Sequence, residues 1–100
     1  MIPPSYELTL SAALFAIGLF GVLTRKNAII VLMSVEIILN AAVLNLVAFA
    51  SYSNDPSGQV FALLAIAIAA GEAAVGLAIF MNVYRTHGTI DLDKVGFLRW

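Results

Sequence analysis

Charged residues are absent from long stretches of this chain, and that spacing leaves few folds open to it. There is none between Glu7 and Arg25, only Glu36 between Lys26 and Asp55, and only Glu72 between Asp55 and Arg85. Apolar stretches of that length mark membrane spans. Of the 100 residues, 62% are hydrophobic and 11% charged, whereas soluble domains carry about a quarter charged residues. So few charges cannot coat a small water-soluble domain. The expected fold is an all-α membrane protein with three transmembrane helices, forming a single membrane domain over residues 1–100.

The spans are expected at about Pro4–Thr24, Asn27–Ala50 and Gln59–Tyr84, with a polar tail over 85–100. A helix of about 21 residues covers roughly 31 Å at 1.5 Å per residue, about one hydrocarbon core. Pro3 and Pro4 suit a first helical turn, and Glu7 sits near the positive end of the helix dipole. A secretory signal would have a shorter apolar region after a basic start, and no Lys or Arg precedes Arg25. The cluster Ser51–Gly58, rich in Asn, Asp, Pro, Ser and Gly, reads as the turn between the second and third spans. Thr24–Asn27 is a tight connection between the first two. There is no internal repeat and no low-complexity segment.

Orientation follows from the basic residues. Arg25 and Lys26 lie in the first loop, and Arg85, Lys94 and Arg99 at the end of the third span and in the tail. With three spans all five fall on one side, so the positive-inside rule puts the N-terminus outside and the C-terminus in the cytoplasm. Tyr6, Tyr52 and Tyr84 sit near span ends, as interfacial aromatics do.

Several chemistries are excluded for the chain acting alone. A net charge of −1 with five basic residues offers no footprint for nucleic acid. The absence of cysteine removes disulfides, thiolate zinc sites and cysteine-ligated iron–sulfur clusters, and one histidine, His87, cannot form a multi-histidine metal or haem site. There is neither a glycine-rich phosphate loop nor a nucleophile elbow.

Glu36 and Glu72 are the two acids within the spans. Glu36 is ten residues past Lys26, about 15 Å along a helix, and Glu72 thirteen before Arg85, about 20 Å. In a core about 30 Å thick both lie near the middle, at depths within roughly one turn of each other. Residues 60–81 hold eleven Val, Leu, Ile, Phe and Met. At about −0.3 to −0.6 kcal/mol each, these outweigh the roughly +2.5 to +3.5 kcal/mol of one central acid, so the helix inserts with its glutamate. Each acid reads in one of two ways. It is a neutral, hydrogen-bonded group tying helices together, or a proton carrier, because desolvation favours the protonated form of a carboxyl. Two acids at matched depth favour the second reading.

Asn40 stands one turn from Glu36 on the same face, where it either hydrogen-bonds the acid or a water, or links helices. Ala65, Ala69 and Gly76 share the face of Glu72 and suit close helix packing, with Ile68, Val75 and Ile79 flanking them. Arg25 and Lys26 read first as topology determinants, and otherwise as groups that bias proton entry or pair with an acid on a neighbouring chain. His87 reads as a solvated tail residue, and Trp100 as an interfacial anchor or a docking residue. Three helices cannot shield two central acids from lipid on every side, so the chain is expected to work within a larger membrane assembly.

The segments Met33-Ser-Val-Glu-Ile-Ile-Leu-Asn-Ala41 and Ile66-Ala-Ile-Ala-Ala-Gly-Glu-Ala-Ala-Val-Gly-Leu-Ala-Ile79 resemble the second and third helices of the NuoK family. That family comprises the small three-helix "4L" subunits of respiratory complex I and related complexes. The resemblance extends to the chain length, the pair Arg25-Lys26, the Gly58-Gln59-Val-Phe61 start of the third span and its Tyr84-Arg85 end. Gly71 departs from the alanine of many members, a change between two small residues.

The resemblance implies a membrane-arm subunit of a proton-translocating NADH:quinone oxidoreductase, not catalytic alone. Glu36 and Glu72 would belong to its line of buried ionisable residues, with Asn40, Arg25 and Lys26 in support. Its neighbours would be NuoJ-type and NuoN-type chains. NADH or another donor, FMN, Fe-S clusters and quinone would be bound on partner subunits and none by this chain. The membrane would be the inner cell membrane or, in related complexes, the thylakoid or another energy-transducing membrane. Alternatives are a ferredoxin- or other-donor-linked relative, the small subunit of a multisubunit Na+/H+ antiporter, a multidrug-type small transporter (four spans rather than three), and a purely structural bundle.

Overall fold

A computed structural model describes residues 3–93. It consists of α1 (Pro4–Thr24), α2 (Ala28–Ser53) and α3 (Pro56–His87). All three are long and apolar enough to cross a membrane. The bundle is 50 Å long and 24 by 21 Å across. α2 lies in the middle, packed on α1 along one side and on α3 along the other, and α1 and α3 do not meet.

Local chemistry sets the helix ends. Pro4 occupies the first position of α1, where its missing N–H costs nothing, and Glu7 lies in the first turn. The Asn27 side chain caps α2 by accepting from the N–H groups of Ile29 and Ile30, at 2.9 and 3.2 Å. Asp55 caps α3, accepting from the N–H of Ser57 at 3.0 Å and from its hydroxyl at 2.7 Å. Those two bonds hold the Asp55 carboxyl below its ordinary pKa by stabilising its charged form.

The helices run further than the turn composition suggested. Of Ser51–Gly58, only Asn54 and Asp55 lie outside a helix. Ser53 stays in α2 with its hydroxyl bonded to the Phe49 carbonyl, and Asn54 ends the helix in the left-handed region at φ 56°. Pro56 then opens α3 directly after the Asp55 cap. Asparagine is among the few non-glycine residues that visit this region. Asn54→Val should therefore cost about 1–2 kcal/mol locally and Asn54→Gly almost nothing. Limited proteolysis of the loop in membranes should be faster for the valine variant alone.

The tail also differs from a plain polar extension. α3 continues to His87, where Gly88 in the left-handed conformation (φ 71°) ends it. The chain then folds back onto the first loop. Ala28 donates its N–H to the Ile90 carbonyl at 2.9 Å, and Leu92 donates to the Lys26 carbonyl at 2.8 Å. Lys26 Nζ lies 2.9 Å from Asp93 Oδ2. That bond and the nearby carboxylate charge raise the Lys26 pKa above its usual value. The pair is exposed, so solvent screens it, and the backbone bonds define the contact. They place the first loop and the end of α3 at one end of the bundle. Lys94, Arg99 and Trp100 lie outside the described residues.

Small side chains make the core. The buried residues are Ser11, Gly18 and Gly21 of α1, Ala28, Ser34, Ala41, Ala48 and Ala50 of α2, and Ala62 of α3. This is membrane-type packing, in which small residues bring backbones close and large apolar ones face outward. Leu23, Phe61 and Ile68, for example, are 73, 62 and 62% exposed. Ser11 donates across the α1–α2 seam to the Ala41 carbonyl at 2.9 Å.

Candidate functional site: two carboxyls beside the α2–α3 seam

The register of α2 and α3 sets the heights of the two glutamates. Near one end Gly58 packs against Ala50, and near the other Gly76 packs against Leu32. These two pairs are equally spaced along both antiparallel helices. Glu36 is one turn beyond Leu32 and Glu72 one turn before Gly76, so the two acids stand level on neighbouring helices.

They stand on opposite flanks of the seam. Glu36 and Asn40 line a groove of about 160 Å³ together with Ile66 and Ala70. Glu72 lines another, of about 200 Å³, with Ala42, Leu46, Ala65 and Ile68. Leu39, Val43 and Ala69 line both grooves and form an apolar wall between them. Either space is roomy enough for more than one water, which needs at least about 10–15 Å³. Glu36 is half-buried and Glu72 exposed on the outer face of α3. Among the described residues neither carboxyl has a hydrogen-bond or ion-pair partner within the chain. An ionised carboxyl in an apolar layer needs water or a donor from elsewhere, and a protonated one needs an acceptor.

The other residues singled out from the sequence divide clearly. Asn40 shares the Glu36 groove. Ala65 and Ala69 line the Glu72 groove, while Gly76 abuts Leu32, where an added Cβ would come within 3.1 Å of a leucine methyl. An added Cβ at Gly71 meets nothing within 4 Å, so alanine would fit there. Arg25 lies over the Phe20 ring, 5.8 Å from its centroid, and Lys26 pairs with Asp93, both at the end of the bundle. The chain thus supplies an acid for Lys26 itself. His87 belongs to the last turn of α3, its Nδ1 3.3 Å from the Val83 carbonyl, rather than to a free tail. No group of three His, Asp or Glu that could hold a metal ion occurs among the described residues.

Sequence reasoning passed over Asn45. Its Oδ1 is buried and unpaired in the groove between α1 and α2, which Ser11, Phe15 and Ile38 also line. The available signal was an asparagine inside the apolar run Ala41–Phe49.

Three spanning-type helices, level carboxyls on both flanks of a seam and broad apolar outer faces define a small multi-pass membrane protein. The family model described as NADH-ubiquinone/plastoquinone oxidoreductase chain 4L matches residues 6–100, and the chain belongs to that family. It is 51% identical to the NADH-quinone oxidoreductase subunit K of Salinibacter ruber, covering 98% of this chain and 97% of that one. With the NAD(P)H-quinone oxidoreductase subunit 4L of the cyanobacterium Nostoc sp. it shares 50% identity, over 95% of this chain and 96% of the other. The subunit K of Cereibacter sphaeroides is 49% identical over 99% of both.

Proposed function

We propose that the chain is a membrane-arm subunit of a proton-translocating NADH:quinone oxidoreductase, in which Glu36 and Glu72 take up and release protons during turnover. The observation that carries this reading is the level pair of carboxyls, each lining its own groove without a partner among the described residues. A carboxylate that gains a proton loses its need for a counter-charge, and one that releases it demands water or a cation. Each acid therefore couples its charge to what stands on its own flank. Leu39, Val43 and Ala69 separate the two grooves, so exchange on each side runs through water or a group of the chain packed there. A NuoJ-type neighbour on one flank and a NuoN-type neighbour on the other would fit this arrangement. Asn40, which shares the Glu36 groove without bonding the acid directly, supports it through a bridging water.

Arg25 and Lys26 act at the cytoplasmic end as topology determinants, with the N-terminus outside and the C-terminus inside. NADH or another donor, FMN, Fe-S clusters and quinone belong to partner subunits. Relatives named for NADH and for NAD(P)H match this chain equally well, as expected if the donor binds elsewhere. The family description and the relatives' names favour the oxidoreductase over an antiporter accessory subunit. The setting is an energy-transducing membrane, the inner cell membrane or a thylakoid.

Infrared difference spectroscopy of the purified complex during turnover tests the assignment. Carboxyl C=O signals should appear between the oxidised and reduced states and be lost in part in Glu36→Gln and in part in Glu72→Gln. Identical spectra for all three complexes would mean that neither acid changes protonation during turnover and would overturn the assignment.

A further inference from the structure

We propose that the end of the bundle carrying Arg85 holds one anionic phospholipid, its phosphate on Arg85 and Tyr84 and its upper acyl chain in the groove beneath them. The groove, of about 300 Å³, is lined by Ile29, Phe80, Met81, Tyr84, Arg85 and Ile90. It exists because the chain folds back, since the Ala28 N–H bond to the Ile90 carbonyl draws Ile90 against the start of α2. Met81 and Tyr84 are each 56% exposed, so the groove opens sideways from the bundle.

Its polar and apolar parts are ordered as in a lipid. Arg85 lies in the last turn of α3, beyond the apolar span. Phe80 and Met81 lie about one turn deeper, roughly 6–7.5 Å along the helix. A guanidinium presents a planar fork of donors that matches two phosphate oxygens, and the Tyr84 hydroxyl can add a third bond. A free phosphate would leave the apolar lining uncovered, and a purely apolar molecule would leave the guanidinium without a partner.

The surrounding charges favour an anionic headgroup. Among the described residues this end carries Arg25, Lys26 and Arg85 against Asp91 and Asp93. Lys26 is paired with Asp93, and the Asp91 carboxylate accepts the Asp93 N–H at 2.9 Å. Arg25 lies over Phe20. Arg85 has no carboxylate within ion-pair distance among the described residues.

The test replaces Met81 by a photoreactive benzophenone amino acid in the whole complex, reconstituted into vesicles of equal phosphatidylglycerol and phosphatidylcholine. Illumination should attach phosphatidylglycerol to this chain in clear preference to phosphatidylcholine, as read by mass spectrometry. Adding Arg85→Gln should lower the phosphatidylglycerol adduct about fivefold, the size expected for one headgroup contact, while Arg25→Gln leaves it unchanged. Should the glutamine variant fail to assemble, Arg85→Lys keeps the charge but loses the fork, and should give an intermediate preference. Attachment to another protein subunit, or equal labelling by both lipids with Arg85 intact, overturns the proposal.

Discussion

Glu36→Gln should abolish most quinone-coupled proton pumping while leaving the complex assembled. The amide has nearly the size of the acid and keeps its hydrogen-bonding reach, but it cannot release a proton. A positioned proton carrier contributes on the order of 10²–10⁴ in rate, so a loss of about tenfold or more is expected even if other paths leak. The measurement is dye-reported proton uptake by inverted vesicles, normalised to complex content on native gels. Glu36→Asp should retain part of the activity. Glu72→Gln should give a similar or smaller loss, because Glu72 stands exposed beside an apolar groove whereas Glu36 is half-buried beside Asn40. Full pumping by an assembled Glu36→Gln complex would remove this residue from proton transfer. An assembly defect alone for Glu72→Gln would make that acid a packing group.

The second large effect is steric. A Cβ built on Gly18 comes within 2.6 Å of Ile38 Cγ1 and 2.8 Å of the Ser34 backbone oxygen. Backbone cannot yield as a flexible side chain can, so Gly18→Leu must push α1 away from α2. It would weaken the Ser11–Ala41 hydrogen bond and the fit of Gly21 against Ser34 as well. Overpacking typically costs about 1–3 kcal/mol. Because α1 meets the bundle through α2 alone, the subunit should fail to appear in the assembled complex on native gels. Gly71→Ala, made in open space, should assemble normally. If Gly18→Leu assembled as well as the parent, α1 and α2 would not be in close contact at Gly18.

The candidate site was partly legible from residue spacing. The charge-free stretches disclosed three spans, and Glu36 and Glu72 stood out because an acid in an apolar helix has no cheap structural explanation. Their matched depth followed from counting back to Lys26 and Arg85. The turn was overestimated because Ser51–Ser53 and Pro56–Gly58 have turn-like composition. Serine is tolerated in a helix when its hydroxyl bonds the preceding turn, and proline favours a helix's first position. The fold-back of Thr89–Asp93 onto the first loop was invisible because its partners, Lys26 and Ala28, lie more than sixty residues away.

Helical periodicity and hydropathy are local properties, so the linear chain settled the number of spans, their approximate limits and the presence of two acids among them. Which flank of the seam each acid occupies depends on how α2 and α3 rotate about their own axes. That rotation is decided by what packs on the glycines of α3, Ala50 on Gly58 and Leu32 on Gly76. Such fits are steric and join distant parts of the chain, so only the packed helices reveal that Glu36 and Glu72 stand level yet line different grooves.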